Sequence, residues 1–516
     1  MRRRALLAAL TASPLVAASA GCSVGESVDT GNGNAAGPAG GGAFVAAISA
    51  QPDQLDPHKT TAYASFQVLE NVYDTLVVPN GKTLEMEPSL ATQWDTSPDG
   101  LTWTFRLVEG VTFHDGTPFT AADVVFSYRR IIDQELANSA RFATVADVTA
   151  PDDRTVVITL KRPTPNLLSR IGAFKGMAIL SKDVDESTLA TKANGTGPFA
   201  LQGSSASEIS LERFDDYWSR APKLGGVTFQ FLPEPAAALT ALTTDQVQWT
   251  DNVPPQRVAS FEDDESVDLG RVASVDYWYL AMNCAKAPFD RVEVRRAVAF
   301  AVDRDALTEA AKFGTARPNQ TAIPQGSEWY YDYAPFRTDL DEAKRLLQQA
   351  GVSTPLTMGV MVTSDYPETV TAAQVLASQL EPLGITVKIE TEDFATWLDR
   401  QGRGDFDAFM LGWLGNVDPA DFYEEQHRTG GANNYQKYSN PTTDDLLDRA
   451  AVEPDKTARK TLYEQAAQQI VDDVSYLFLY NPDAVQVWKK GITGYEVRVD
   501  KAVDFDTLAL PTRGDS

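Results

Sequence analysis

The side chains best suited to holding a ligand lie within one short stretch, residues 409–422. Trp413 offers a flat face on which a ligand could stack, and Asn416 or Asp418 could hydrogen-bond or pair with its polar end. A plainer interpretation places Trp413 in the core and makes Asp418 the cap of a helix that begins near Pro419. The local sequence is compatible with both interpretations.

The elements around this stretch predict how its side chains are positioned. The apolar run Phe409-Met410-Leu411 is short enough for a buried strand, and the glycines and the Asp-Pro step that follow force a loop. Loops that leave the ends of central strands are common places for ligand groups. The sequence therefore predicts a binding loop at the end of a strand.

Catalytic and metal-binding patterns are missing from the sequence. His58, His114 and His427 stand alone, and we expect His427 to lie on a solvated helix. Cys22 and Cys284 are far apart and predict no disulfide scaffold. There is neither a nucleophile elbow nor a phosphate-binding glycine loop. The chain is predicted to be a binder with no cofactor and no metal, rather than an enzyme.

Length and charge narrow the class further. A chain of 516 residues exceeds one ordinary core, so two or more lobes are expected. It has 45 Lys and Arg against 71 Asp and Glu, for a formal net charge of −26. Such a surface repels nucleic acid and anionic lipid, and those partners are disfavoured.

The N-terminus has the pattern of an export signal. Three arginines precede an apolar run that is too short for a stable membrane span, and small residues follow, which predicts a signal peptide over residues 1–21. Its end, Ser19-Ala20-Gly21-Cys22, resembles the bacterial lipoprotein cleavage box, although Ser19 stands where leucine is usual. Cys22 is then the lipidated first residue, and residues 22–42 form a Gly-rich flexible tether. The alternative is an ordinary signal in which Cys22 is incidental.

Strand and helix patterns alternate through the rest of the chain. Thr120 and Asp123 predict a capping box at the start of a helix that runs to about Asp133. A strand over residues 274–280 is a plausible crossing between lobes, and a strand-like tail over 485–499 is predicted to cross back. This alternation favours an α/β architecture.

Six motifs follow one another along the chain: QPDQLDP at 51–57, PSLATQWDTSPDGLTWTFRLVEGVTFHDGTPFTAADVVFSY at 88–128, GTGPF at 195–199, NCAKAPFDRVEVRRAVAFAVDRDAL at 283–307, GWLGNVDPADF at 412–422 and NNYQKYSNPTTDDLL at 433–447. With these motifs in this order, the chain resembles the extracytoplasmic solute-binding proteins of peptide, dipeptide and nickel ABC importers, solute-binding family 5.

This resemblance implies a two-lobed periplasmic-binding-protein-like α/β fold of type II, from the large cluster with an extra subdomain, whose lobes are joined by two crossing strands. The expected division is lobe 1 over 43–275 with an inserted subdomain at about 72–197, lobe 2 over 276–488, and a return to lobe 1 over 489–516. The family's lobes close on a small solute, which is delivered to an ABC permease powered by separate ATPase subunits. The receptor is expected to be a monomer held to the membrane by its N-terminal lipid.

The resemblance also implies a ligand wall. The matching positions are Tyr277 or Trp278 on the lobe crossing, Tyr366, Trp413, Asn416, Asp418, Asn433, Asn434 and Tyr435.

Two departures from the family pattern bear on the ligand. Peptide binders of the family usually carry an aspartate two or three residues after the tryptophan, where this chain has Asn416, so either Asp418 has taken that role or no ammonium is bound. Dipeptide binders use an arginine just before the position of Tyr366, where this chain has Ser364-Asp365. A missing charge-assisted bond argues against a simple dipeptide. A longer peptide, or a cationic, sugar-like or metal-chelate solute, is compatible with the sequence.

Two other functions are compatible with the residues. A receptor of the same fold could present its ligand to a signalling partner instead of a permease. A secreted hydrolase could use Asp418 and Asp421 as a carboxylate pair, although helix capping explains both residues equally well.

Overall fold

The structure is a computed structural model that describes residues 44–172, 175–415 and 417–511. The predicted signal peptide and tether, including Cys22, lie outside the described residues. The strands are β1 (Phe44–Ile48), β2 (Val77–Pro79), β3 (Met86–Pro88), β4 (Ala91–Thr96), β5 (Thr102–Leu107), β6 (Val145–Asp152), β7 (Thr155–Leu160), β8 (Phe199–Ser204), β9 (Glu208–Arg213), β10 (Gly226–Phe231), β11 (Trp249–Thr250), β12 (Val267–Ala273), β13 (Tyr277–Met282), β14 (Ala316–Pro318), β15 (Leu356–Thr363), β16 (Ile385–Glu392), β17 (Ala408–Trp413) and β18 (Leu477–Lys489).

Helices alternate with these strands along the chain. They are α1 (Tyr63–Leu69), α2 (Ala121–Asp133), α3 (Leu167–Gly172), α4 (Pro235–Thr243), α5 (Pro255–Glu262), α6 (Val292–Ala301), α7 (Arg304–Lys312), α8 (Leu340–Gln349), α9 (Pro367–Leu380), α10 (Phe394–Arg403), α11 (Ala420–His427), α12 (Pro441–Ala450) and α13 (Lys456–Asp472). Helix α2 begins as its sequence predicts, because the Thr120 amide donates to Asp123 Oδ2 at 2.8 Å and closes the capping box.

One mixed sheet runs through most of the molecule. Within the described residues it has twelve strands in the order β16-β15-β17-β13-β18-β11-β1-β10-β9-β8, and β12 and β14 also pair with β18. A separate antiparallel sheet, β4-β5-β7-β6, and the hairpin β2-β3 belong to the segment inserted between β1 and β8.

Four groups of buried side chains show where the cores lie. Two of them pack around β1 and β8–β12 and form the core of lobe 1, a third packs around β13–β17 with helices α6–α13 and forms the core of lobe 2, and the fourth packs around the inserted sheet and α2. The α/β fold of two lobes with an extra subdomain is therefore confirmed. The residue boundaries given above for the domains stay a prediction.

Two strand paths cross between the two larger cores. One is β12 followed by β13, and the other is β18, which pairs with β13 over Leu477–Tyr480 and with β12 from Asp483 onwards. The paths meet where Ser274 donates from its amide and its hydroxyl to the carbonyl of Pro482, at 3.0 and 2.8 Å. The tail predicted as a strand over 485–499 is a strand only as far as Lys489, so the second crossing lies earlier in the chain than expected.

A candidate ligand-binding cleft

Strands β13 and β17 position the tryptophans that face the cleft. They run antiparallel, with Trp413 opposite Tyr277 and Gly412 opposite Trp278. A Cβ atom on Gly412 would lie 2.6 Å from Cε2 of the Trp278 indole. Glycine at this position therefore allows the indole to lie across the neighbouring strand.

The ends of these strands border a cavity of about 570 Å³, which we call the aromatic cavity. Its volume lies in the range of small-molecule sites. Tyr63, Asp276, Gln401, Asn433 and Lys501 supply polar groups to its lining. Most of the remaining wall is apolar and consists of Trp278, Tyr366, Phe394, Leu398, Leu411, Trp413, Leu414 and Tyr435.

Exposed apolar side chains concentrate at this cavity. Among the described residues, four large apolar side chains stand out as exposed, and three of them line it: Tyr366 at 39%, Leu398 at 46% and Leu414 at 65%. The fourth, Phe313, is not among the cavity-lining residues. A cluster of exposed apolar surface in a concave site favours a ligand that covers it.

Edge-to-face contacts hold the aromatic wall in place. The ring of Tyr366 lies 6.0 Å from that of Trp278 and 5.4 Å from that of Phe394, at interplanar angles of 75° and 89°. Trp278 stacks on Tyr480 of the crossing strand at 6.1 Å. These contacts are favourable arrangements for aromatic rings, so the wall is preorganised before a ligand arrives.

An ion pair stands inside the cleft. Lys501, from the segment after β18, pairs with Asp276, from the link between β12 and β13. Asp276 Oδ1 also accepts the Gly415 amide at 3.2 Å. The Lys501 ammonium lies 5.5 Å from the centre of the Tyr63 ring, and the Tyr63 hydroxyl donates to the Lys501 carbonyl at 3.0 Å. The pair leaves this part of the cleft with no net charge.

A second cavity of about 230 Å³ adjoins the first. Both are lined by Tyr63, Asp276, Leu414 and Lys501, so the ion pair stands at their boundary. The second cavity adds Arg141 from the inserted subdomain. Thr60, Thr61 and Asn138 contribute further polar groups.

The structure brings together five residues of the predicted ligand wall. These residues, Trp278, Tyr366, Trp413, Asn433 and Tyr435, all line the aromatic cavity. Their role in binding stays a prediction. Asn416 lies outside the described residues.

Tyr277 requires a correction. It is 1% exposed and packs in the core of lobe 2, with ring centres 5.9 Å from Phe422 and 5.6 Å from Phe478. Alternate side chains of a strand point to opposite faces, and Trp278 is the one that reaches the cavity.

Asp418 is placed in a buried ion pair. It is 6% exposed, and its two oxygens accept from Arg459 of α13 at 2.6 and 2.7 Å. Oδ1 also accepts the Ala420 amide at 3.0 Å, which supports the capping interpretation, and Asn166 of the inserted subdomain donates to it at 3.2 Å. A carboxylate engaged in this way supports neither an ammonium site nor a hydrolytic pair with Asp421.

The sequence did not point to several residues of the cleft, among them Arg141, Asp276 and Lys501. They come from distant parts of the chain, so no local spacing connects them. The one available signal was Asp276, a charged residue between the apolar Val275 and the aromatic run that starts at Tyr277.

His427 does not lie on a solvated helix, as the sequence analysis expected. It is fully buried, its Nδ1 lies 2.8 Å from the Ser475 hydroxyl, and burial lowers its pKa to about 3. Within residues 44–172, 175–415 and 417–511, no group of three or more His, Cys, Asp or Glu residues is arranged to hold a metal ion.

Two lobes joined by crossing strands, with ligand-sized cavities at their junction, define the class of two-lobed solute-binding proteins. The chain belongs to the bacterial extracellular solute-binding proteins, family 5, whose middle-region model matches residues 85–435. The resemblance described from the motifs is thereby confirmed.

Individual relatives match along nearly the whole chain. The chain is 28% identical over 471 residues to the probable D,D-dipeptide-binding periplasmic protein DdpA of Escherichia coli, covering 88% of this chain and 91% of that one. It is similar to the periplasmic binding protein DppA of Helicobacter pylori in complex with the peptide STSA, with 29% identity, a TM-score of 0.79, and coverage of 91% and 98%. It is also similar to the substrate-binding protein CtaP of Listeria monocytogenes, with 25% identity, a TM-score of 0.84, and coverage of 91% and 99%.

In the described part of the chain, no helix is both long enough and apolar enough to cross a bilayer.

Proposed function

We propose that this protein is the extracytoplasmic receptor of an ABC importer and that it captures a peptide-like ligand between its lobes. The aromatic cavity carries the proposal, because its apolar wall and its ion pair suit a molecule with bulky side chains and polar ends. The names of the relatives, which include a dipeptide-binding protein and a protein in complex with a peptide, support the ligand class.

The proposal includes partners outside the cleft. The closed receptor delivers its ligand to a membrane permease, and ATPase subunits on separate chains drive transport. Lipidation of Cys22 and the Gly-rich segment 22–42 would tether a monomeric receptor to the outer face of the cell membrane.

Native mass spectrometry tests the ligand class directly. The soluble form that starts at Ser23 would be measured as purified, and again after a denaturing wash and refolding. We expect adducts of a few hundred daltons that fragment as peptides and disappear after the wash. An empty protein that is stabilised against heat only by sugar-like or cationic solutes would contradict the peptide assignment.

Variants of the apolar wall test the site. Leu398→Ala removes an exposed side chain from the aromatic cavity, whereas Phe313→Ala removes one of similar exposure that lies elsewhere. We expect Leu398→Ala to raise the Kd for the co-purified peptide roughly tenfold, because it loses apolar contact with the ligand. Phe313→Ala should leave Kd unchanged. Equal titration curves for both variants, measured by calorimetry, would place the ligand elsewhere.

A further inference from the structure

The inserted subdomain contacts lobe 2 where its arginines meet carboxyl groups of α11, and we call this contact the subdomain–α11 interface. Arg170 of α3 lies 3.9 Å from Glu424 of α11. Arg141 belongs to the short helix Ser139–Phe142, which packs in the core of the subdomain, and its charge acts on Asp421 of α11. Opposite charges on the two bodies favour contact between them.

One atom of Asp421 and one atom of Arg141 are cut off from water. These atoms, Oδ2 of Asp421 and Nη1 of Arg141, are sealed from solvent, and within the described ranges no hydrogen bond reaches either of them. A sealed carboxyl oxygen without a donor is costly when the group is charged and less costly when it is neutral. The closed interface therefore favours the protonated form of Asp421.

Most of the surroundings of Asp421 act in the same direction. Burial is the largest cause and raises the pKa of Asp421. The charge of Arg141 opposes this rise, and so does that of Arg170. The carboxylates of Asp418 and Glu425 add to the rise. The two arginines thus limit the proton affinity of Asp421 without cancelling the effect of burial.

Glu424, one turn further along α11, is shifted in the same way. Burial raises its pKa, although the Tyr463 hydroxyl donates to its Oε1 at 2.8 Å and the charge of Arg170 opposes the rise. The other cation on this side of α11 is Arg459 of α13, which is already paired with Asp418. Two carboxyl groups of α11 therefore hold their protons more firmly while the interface is closed.

We infer that the subdomain–α11 interface is a proton-linked latch, in which protonation of Asp421 favours contact between the inserted subdomain and lobe 2 and hence the closed form of the receptor. In an open form Asp421 would be hydrated and would ionise at its ordinary pKa, so closing takes up a proton. The latch is fully effective below that ordinary pKa, and its contribution is lost as the pH rises through the higher pKa of the closed form. The inference goes beyond the proposed function, because it requires no particular ligand.

Small-angle X-ray scattering of the ligand-free protein tests the latch. The protein would be stripped by a denaturing wash, refolded, and measured from about pH 4.5 to about pH 7.5, a range that covers moderately raised carboxyl pKa values. We expect the radius of gyration to be smallest at the acid end and to increase with pH. Asp421→Asn, which is neutral throughout, should be as compact at the highest pH as the wild type is at the lowest.

The matched control is Asp445→Asn, which removes a carboxylate from an exposed pair with Arg449 on α12. This variant should keep the pH dependence of the wild type. Circular dichroism at each pH would verify that the variants are folded. A wild-type radius that does not change with pH, or a change retained in Asp421→Asn, would overturn the inference.

Arg141→Gln distinguishes a proton-linked latch from a merely structural contact. Loss of the Arg141 charge removes an opposing influence, so the pKa of Asp421 in the closed form rises further and the compact form should persist to a pH at least about half a unit higher. Arg129→Gln, which removes an arginine paired with Asp147, should leave the midpoint of the transition unchanged. A midpoint that stays in place or moves to lower pH in Arg141→Gln would refute the latch. Peptide binding enters neither measurement, so failure of the proposed function would leave this test intact.

Discussion

The side chain of Asp418 shows how a single residue can look like a ligand anchor and hold the structure together instead. Its carboxylate faces the two terminal nitrogens of the Arg459 guanidinium, and Arg459 is 4% exposed. The Nε–H of Arg459 donates to the Ala450 carbonyl at 3.2 Å. The pair connects the start of α11 to α13. Removing one partner of a buried pair leaves an uncompensated charge, which costs more than the pair contributes.

Arg459→Met should therefore lower the free energy of unfolding by about 3–5 kcal/mol, as is usual for a buried charge left without its partner. Arg449→Met is the matched control, because Arg449 forms an exposed pair with Asp445 on α12. That variant should cost less than about 1 kcal/mol. Urea unfolding of both variants measures these losses. Equal unfolding midpoints would show that the buried Asp418 pair contributes no more to stability than the exposed pair.

At the scale of elements, the packing between β13 and β17 depends on the absence of a side chain at Gly412. Gly412→Ala should displace the Trp278 indole, because the new Cβ would lie 2.6 Å from it. We expect a change in tryptophan fluorescence and at least about tenfold weaker ligand binding, since the wall loses its preorganised aromatic contact. Gly402→Ala, where nothing lies within 4 Å, is the matched control. Unchanged fluorescence and affinity in Gly412→Ala would contradict this account.

Element types followed closely from the sequence, whereas the side-chain directions of the site did not. The capping residues of α2 and the glycine-bounded strand β17 are local signals, and the structure has both. The sequence did not predict which side chains of β13 face the cavity. Tyr277-Trp278-Tyr279 is aromatic at every position, so it shows no alternation of apolar and polar residues. Arg141 and Lys501 are brought to the cleft by tertiary packing, and their spacing in the sequence does not predict this.

At the scale of the whole molecule, a hydrogen bond between described residues connects the inserted subdomain to lobe 2. Asn166, just before α3, donates to Asp418 at 3.2 Å. Asn166→Ala should weaken ligand binding roughly tenfold, mainly through faster dissociation, because the closed form loses a bond to a charged group. Asn194→Ala breaks a similar bond to Asp115 within the subdomain region and should leave dissociation unchanged. Stopped-flow release of bound peptide measures both, and equal rates would show that the contact does not support closure.

Pro482 has a mechanical consequence for the molecule. Proline lacks an amide proton and has a fixed φ, so β18 loses one ladder bond at the place where it passes from one core to the other. Ser274, on the other crossing path, donates a hydrogen bond to the carbonyl of Pro482. We expect a swing of one lobe against the other to pivot near these two residues. The lever arm is short for Asp276, because it stands two residues from Ser274. Asp276 should therefore move little when the lobes close, and cavity side chains farther from the crossing strands should move more.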